Sequence, residues 1–108
     1  MPLLTLAGSN VRTTTGSGSA LPGSSGLATL RAQLDVTAAT GTGPTLDVFL
    51  EDTIDGTNYN TIATFTQLAA AGRLVVNVTT PFSDTIRARW AIGGGTPSFT
   101  FSVIAWGE

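Results

Sequence analysis

Residues 27–38 read LATLRAQLDVTA and alternate between apolar and polar side chains. The even-numbered positions from Ala28 to Ala38 are apolar, whereas the odd-numbered positions from Thr29 to Thr37 are polar or charged. Because successive side chains of a β-strand point to opposite faces of a sheet, this period of two predicts a strand with one buried face and one face in water.

The same period of two recurs along the rest of the chain. It returns at residues 46–51, 73–78, 85–92 and 98–105, with a further strand expected at residues 60–66. Turn-forming residues separate these runs at 41–44, 55–58, 71–72, 81–84 and 93–97, and residues 67–71 are expected to form a loop or a single helical turn. We therefore predict an all-β protein, an antiparallel β-sandwich of Ig-like or jelly-roll-like type, because a second sheet would cover the apolar face of the first.

The composition excludes several classes of function. The chain has 108 residues and a formal net charge of -2, and its 5 basic residues are all arginine. Histidine and cysteine are absent, which removes the usual zinc ligands and thiol nucleophiles and the side chain that titrates near neutral pH. We therefore expect no catalytic residues, no metal and no cofactor. With a net negative charge and few basic residues, the chain lacks the basic surface that binds nucleic-acid phosphates, so we expect no nucleic-acid partner.

The sequence shows neither a signal peptide nor a membrane-spanning segment. Its apolar runs are shorter than the roughly 18 residues of a membrane helix, and the N-terminus lacks a cationic start. We expect a soluble chain that is made in the cytoplasm and has no membrane partner.

Residues 1–26 differ from the rest because they are rich in Gly, Ser and Thr. A tract of this composition cannot pack a core of its own, so we predict an extended N-terminal arm at 1–26 and a β-sandwich domain at 27–108. We expect another chain to order the arm through backbone hydrogen bonds. The candidate partner-binding residues of the arm are Leu3, Leu4, Leu6, Val11, Arg12 and Leu21.

The acidic side chains offer little for catalysis. Asp47 and Glu51 lie four residues apart on one predicted strand, hence about 13 Å apart, which is too far for a pair of glycosidase carboxylates. Residues 52–58 faintly resemble a calcium loop, but Asp and Asn beside Gly56 are typical of a hairpin turn. The glycines at 93–95 predict a flexible hairpin loop, since no lysine and no helix follow them.

Arginines and aromatic residues are the remaining candidates for binding. Arg31, Arg87 and Arg89 lie on polar faces of their predicted strands, where they either pair with Asp35, Asp47 or Glu51 across strands or form an interface patch. Trp90 falls on an apolar face and is expected in the core. Tyr59 and Trp106 are the candidate exposed aromatics that could stack on sugar rings.

Residues 46–59, LDVFLEDTIDGTNY, are followed by IATFT at 62–66. This strand, hairpin and strand resemble a "DGTNW" hairpin found in small β-sandwich virion proteins of tailed phages, with Tyr59 in place of the more usual tryptophan. The segments PFSDTIRARW at 81–90 and GTPSFTFSV at 95–103 extend the resemblance, which covers roughly residues 27–108. A similar hairpin also occurs in discoidin-like sugar-binding sandwiches.

The resemblance implies a capsid decoration or head-associated protein. Such a protein would decorate or cement the outer surface of a phage capsid by binding the major capsid protein and neighbouring copies of itself. Trimers, dimers and isolated copies on the shell are all compatible with the sequence. The acidic, lysine-free body favours the outside of the virion, away from packaged DNA. The alternatives are a carbohydrate-binding module of a tail fibre or adhesin that binds a glycan through Tyr59 and Trp106, and a tail-tube or connector component.

Overall fold

A computed structural model describes residues 3–22 and 28–107. These residues form one antiparallel sheet without a helix. Its six strands are β1 (Leu3–Arg12), β2 (Gly16–Ser17), β3 (Leu30–Thr53), β4 (Tyr59–Thr64), β5 (Gly72–Val78) and β6 (Thr85–Gly107). The prediction of an all-β antiparallel protein is confirmed. No helix in the described part of the chain is long and apolar enough to cross a membrane.

Strands β3 and β6 pair with each other along their whole length, from Leu30 opposite Gly107 to Thr53 opposite Thr85. A straight strand of 24 residues would span about 80 Å. The longest dimension of the fold is only 42 Å, so the pair must bend. The bend lies where the sequence predicted hairpin turns, at residues 41–44 and 93–97. Both predictions of a turn are wrong, because Thr42 and Thr45 still pair with Gly95 and Gly93 across the bend.

The bend divides the sheet into two halves. In the first half, residues 30–40 of β3 pair with residues 98–107 of β6, and the strand order is β1-β6-β3-β5. In the second half, residues 45–53 of β3 pair with residues 85–93 of β6, flanked by β4 on one side and β2 on the other. Both halves belong to one sheet, and the pairing of β3 with β6 passes through the bend with three register shifts, between Val36 and Ala38, between Thr40 and Thr42, and between Thr42 and Thr45. The finer expectation of two separate packed sheets, Ig-like or jelly-roll-like, stays a prediction.

A single hydrophobic core joins the two halves. Its members on β3 are the alternating residues that the sequence pattern selected, including Leu34 and Val48, both fully buried. Trp90 of the second half meets Phe101 of the first half edge to face, with ring centroids 5.3 Å apart. Trp90 is buried, as its place in the alternation predicted. The core therefore depends on the bend, which brings these two rings together.

The described part of residues 1–26 belongs to this sheet, which corrects the prediction of an arm ordered by another chain. Residues 3–12 form β1 on the edge of β6, and Leu6 is buried in the core. Farther along, Leu21 exchanges backbone hydrogen bonds of 2.8 and 3.0 Å with Ile86. The physical reason is that β6 itself offers the backbone donors and acceptors that this Gly/Ser/Thr-rich tract needs. The predicted boundary between residues 26 and 27 lies outside the described residues.

The hairpin between β3 and β4 forms where the sequence predicted it. The carboxylate of Asp55 accepts hydrogen bonds of 2.8 Å from the backbone amides of both Thr57 and Asn58, and Gly56 adopts a positive φ of 83°. The amides of Asn58 and Thr57, together with the Asn58 side chain, hold the pKa of Asp55 below its usual range. The turn is thus stabilised by the ionised form of this exposed side chain.

We expect two glycines at the bend to respond differently to alanine, because one is needed for both a close approach and a positive φ and the other for a positive φ alone. Gly94 has φ 110°, and a Cβ atom there would lie 2.6 Å from the carbonyl oxygen of Gly43. Gly43 has φ 57°, and a Cβ atom there would meet open space. Gly94→Ala should therefore lower the free energy of unfolding by about 3 kcal/mol. Gly43→Ala should lower it by about 1 kcal/mol. Urea denaturation measures both, and equal losses would contradict this account of the bend.

Candidate functional site

Two arginines converge on one buried carboxylate in the second half of the sheet. Glu51 lies directly opposite Arg87 on β6, and its oxygens accept hydrogen bonds from Arg87 Nε at 3.0 Å and from Arg89 Nε at 2.8 Å. The Glu51 side chain is only 7% exposed. Of the two interpretations that the sequence left open for Arg87 and Arg89, the structure therefore shows cross-strand pairing.

Aromatic rings cover the same two guanidinium groups. Arg87 lies over the ring of Tyr59, 3.5 Å from its centroid, and Arg89 lies over Phe49 at 4.2 Å. Each guanidinium thus contacts both a carboxylate and an aromatic face, an arrangement that suits the planar arginine side chain. Tyr59 is half-buried beneath Arg87, so the structure does not offer its ring as a free platform for a sugar.

The other carboxylates have separate partners. Asp35 lies 3.8 Å from the guanidinium of Arg73, and Asp47 accepts a hydrogen bond of 3.0 Å from Gln67. Asp52 accepts hydrogen bonds from the backbone and side chain of Ser83. Within residues 3–22 and 28–107, no three acidic side chains come together as a potential metal site.

The residues predicted to anchor an arm are distributed over the protein's own sheet. Leu6 is part of the core, and Leu4 and Leu21 pack against it, whereas Leu3 and Val11 remain exposed. Leu4, Leu6 and Leu21 therefore hold the N-terminal segment against its own chain. Only the exposed pair is available to a partner.

Arg12 clamps the end of β1 onto β6. Its guanidinium lies 4.7 Å from the ring centroid of Trp90 and 4.5 Å from that of Phe101, and it donates hydrogen bonds to the carbonyl oxygens of Phe101 and Gly8. Partial burial lowers the pKa of this group from its ordinary value. Arg12 therefore acts within the fold, although the sequence placed it among the partner-binding residues.

The first half of the sheet presents apolar side chains on the face that points away from the core. We call the set Leu3, Val75, Ile104 and Trp106 the outer apolar face. Three of these side chains are strongly exposed, with 56% for Leu3, 48% for Val75 and 42% for Trp106. Strand register places Leu3 directly opposite Trp106, whereas Val75 and Ile104 both lie opposite Gln33 of β3, which separates them.

Arg31 borders this face. A shallow groove of about 370 Å³ runs over the outer apolar face, and a second groove of about 510 Å³ adjoins it, with Arg31 and Trp106 lining both. Among the described residues Arg31 makes no ion pair and no hydrogen bond. Of the three arginines predicted as one interface patch, Arg87 and Arg89 share Glu51, whereas Arg31 lies apart from them beside the outer apolar face.

Val75 and Ile104 were not among the residues predicted from the sequence to bind a partner, although the sequence contains a signal for both. Each lies in an uninterrupted apolar run, Leu74–Val76 and Val103–Trp106 respectively, inside a strand. A strand with one face in water alternates, so an uninterrupted apolar run indicates that both faces of the strand are apolar. Such a run predicts a second apolar surface in addition to the core.

Comparison with known proteins gives no identification. No protein-family model matches this sequence, and no curated protein is significantly similar to it. The functional argument therefore rests on the residues and their geometry.

We expect Glu51→Gln to destabilise the fold far more than loss of the exposed ion pair between Asp35 and Arg73. Removing the buried charge leaves two guanidinium groups without a carboxylate and should lower the free energy of unfolding by about 2 kcal/mol. The control Asp35→Asn should cost less than about 0.5 kcal/mol, because Arg73 there is 65% exposed. Chemical denaturation of the two variants checks this, and similar losses would contradict a structural role for Glu51.

Proposed function

We propose that this protein is a non-enzymatic structural component of a tailed-phage particle, and that it binds the major capsid protein through its outer apolar face. The observation that carries the proposal is the outer apolar face itself, where Leu3, Val75 and Trp106 are strongly exposed and Ile104 is half-buried. Apolar side chains grouped in this way are typical of surfaces that bind other proteins.

The composition of this surface supports a protein partner. Trp and Arg are enriched at the energetically important centres of protein interfaces, and here Trp106 and Arg31 are neighbours in register. Arg31 has no carboxylate partner within the described residues, so it is available to pair with an acidic side chain of the capsid protein.

The structure of the resembling segments is compatible with the phage role. The strand, hairpin and strand at residues 46–66 that carry the resemblance form β3, the Asp55 turn and β4. The long pairing of β3 with β6 connects both halves of the sheet, an arrangement that is compatible with a non-enzymatic structural protein. The net charge of -2 and the absence of lysine favour a position outside the shell, away from DNA.

The N-terminal segment contributes to this role in a different way from the one the sequence suggested. Leu3 reaches the outer apolar face as a residue of β1, in register with Trp106. The proposal therefore assigns docking to a face of the sheet, in which the segment takes part as a strand.

A carbohydrate-binding module is the second candidate, favoured by the exposed ring of Trp106 beside Arg31 and Asn77 in the second groove. The case is weaker than for a protein partner for two reasons. Tyr59, the other expected stacking platform, is covered by Arg87. The side chains around Trp106 on the first groove are also mainly apolar.

Binding to empty shells of the major capsid protein tests the proposal. We expect Trp106→Ser to weaken co-sedimentation with shells at least about tenfold, because this residue is the largest exposed apolar group of the face. The matched control Val11→Ser alters a side chain that is 64% exposed but lies opposite Thr100, six residues along β6 from Trp106, and its binding should stay within about twofold of wild type.

Thermal unfolding of each variant establishes that the fold is intact. Equal shell binding by wild type and Trp106→Ser, or no shell binding by wild type, would overturn the proposal. Binding to a glycan array that is lost with Trp106→Ser would replace it with the carbohydrate-binding role.

A further inference from the structure

Among the residues that the structure describes, strand β5 forms an open edge of the first half of the sheet. It pairs with β3 through all seven of its residues, Gly72–Val78, without a register shift. No described residue hydrogen-bonds through its backbone to the other side of β5. The opposite edge, β1, is interrupted by two register shifts, a feature that commonly protects an edge strand from pairing with another chain. Strand β5 has no such protection, and it also lacks proline and lysine.

The side chains of β5 are incompletely covered on both faces. On the core face, Leu74 and Val76 are only half-buried, whereas their register partners Leu34 and Ala32 on β3 are 0% and 1% exposed. On the outer face, Val75 is 48% exposed. One additional strand beside β5 would cover all three side chains, and no strand in the described part of the chain takes that place.

We propose that β5 pairs in antiparallel fashion with β5 of a second copy of this chain, around a two-fold axis at Val75. Residues directly opposite each other in an antiparallel pair have side chains on the same face. If a two-fold axis keeps the outer faces of both copies on one side of the sheet, one residue must therefore lie directly opposite the same residue of the second copy, and the axis passes between these two. Val75 is the midpoint of Gly72–Val78, and an axis there lets every residue of β5 pair.

This register is compatible with the side chains it brings together. Leu74 lies opposite Val76 of the second copy on the core face, and Val75 lies opposite its own equivalent on the outer face. Arg73, the charged residue of β5, lies opposite Asn77 of the second copy, so no like charges meet. Alternate residues of β5 direct their N–H and C=O groups away from β3, and these groups would form the new ladder.

The dimer would join the two outer apolar faces into one surface, because Val75 belongs to each face and lies at the axis. The result is a continuous sheet in the order β1-β6-β3-β5 followed by the same strands of the second copy in reverse. This inference stands independently of the proposed function, since it needs only a second copy of the chain and not a capsid protein.

The absence of cysteine from the sequence makes a direct test feasible. Opposed residues of an antiparallel pair have Cα atoms about 4.5 to 5.5 Å apart, within the range that a disulfide bridges. Val75→Cys should therefore oxidise to a covalent dimer at least about ten times faster than Val11→Cys. The control residue is the more exposed of the two, 64% against 48%, so random collisions would favour it instead.

Sedimentation equilibrium gives an independent readout on the full chain. We expect wild type to approach twice the 11.0 kDa chain mass with rising concentration. Val75→Lys places two cations opposite each other at the axis and should weaken the dimer at least about tenfold, whereas Val11→Lys should leave it unchanged. Circular dichroism of each variant establishes that the sheet is retained.

Wild type that stays monomeric up to about 0.1 mM, or Val75→Cys that crosslinks no faster than Val11→Cys, would overturn the proposal. Failure to bind shells with dimerisation intact would remove the capsid role alone. A monomer that still binds shells would remove the dimer alone.

Discussion

The pairing of β3 with β6 from Leu30 and Gly107 to Thr53 and Thr85 is the constraint on which the other strands depend. Strands β1 and β2 hydrogen-bond to β6, and strands β4 and β5 hydrogen-bond to β3. The long pair can build one core only because it bends, and the bend requires glycines at positive φ that continue the ladder instead of ending it. The edge-to-face contact of Trp90 with Phe101 follows from that bent pair, because the two rings lie on opposite sides of the bend.

The two halves of the sheet use their outer faces differently. In the second half, Glu51, two arginines and two aromatic rings satisfy one another, which closes this face with the chain's own charges. In the first half, the corresponding face carries Trp106, Ile104, Val75 and Leu3 and stays open. Charged groups that already have partners within the chain form few additional hydrogen bonds with another protein, whereas burial of exposed apolar area stabilises a complex. A partner would therefore gain more from burying the outer face of the first half than from binding the second half.

The edges of the first half show a similar asymmetry. Strand β1 joins the two ends of the chain, since Leu3 pairs with Trp106, and its register shifts and the clamp of Arg12 close that edge. Strand β5 is short, regular and partly uncovered. An open edge and an open apolar face meet at Val75, so the proposed docking surface and the proposed dimer share this residue.

The sequence by itself determined the all-β class, most strand positions, the Asp55 hairpin and the core side chains of β3, because these depend on local alternation and turn chemistry. It also restricted Arg87 and Arg89 to a few partners without selecting Glu51. Only the tertiary structure decided that the glycines at 41–44 and 93–97 bend continuous strands, that residues 3–12 complete the chain's own sheet, and that Leu3, Val75, Ile104 and Trp106 share one face. These outcomes depend on which distant strands pair, and a pattern of period two carries no information about the partner of a strand.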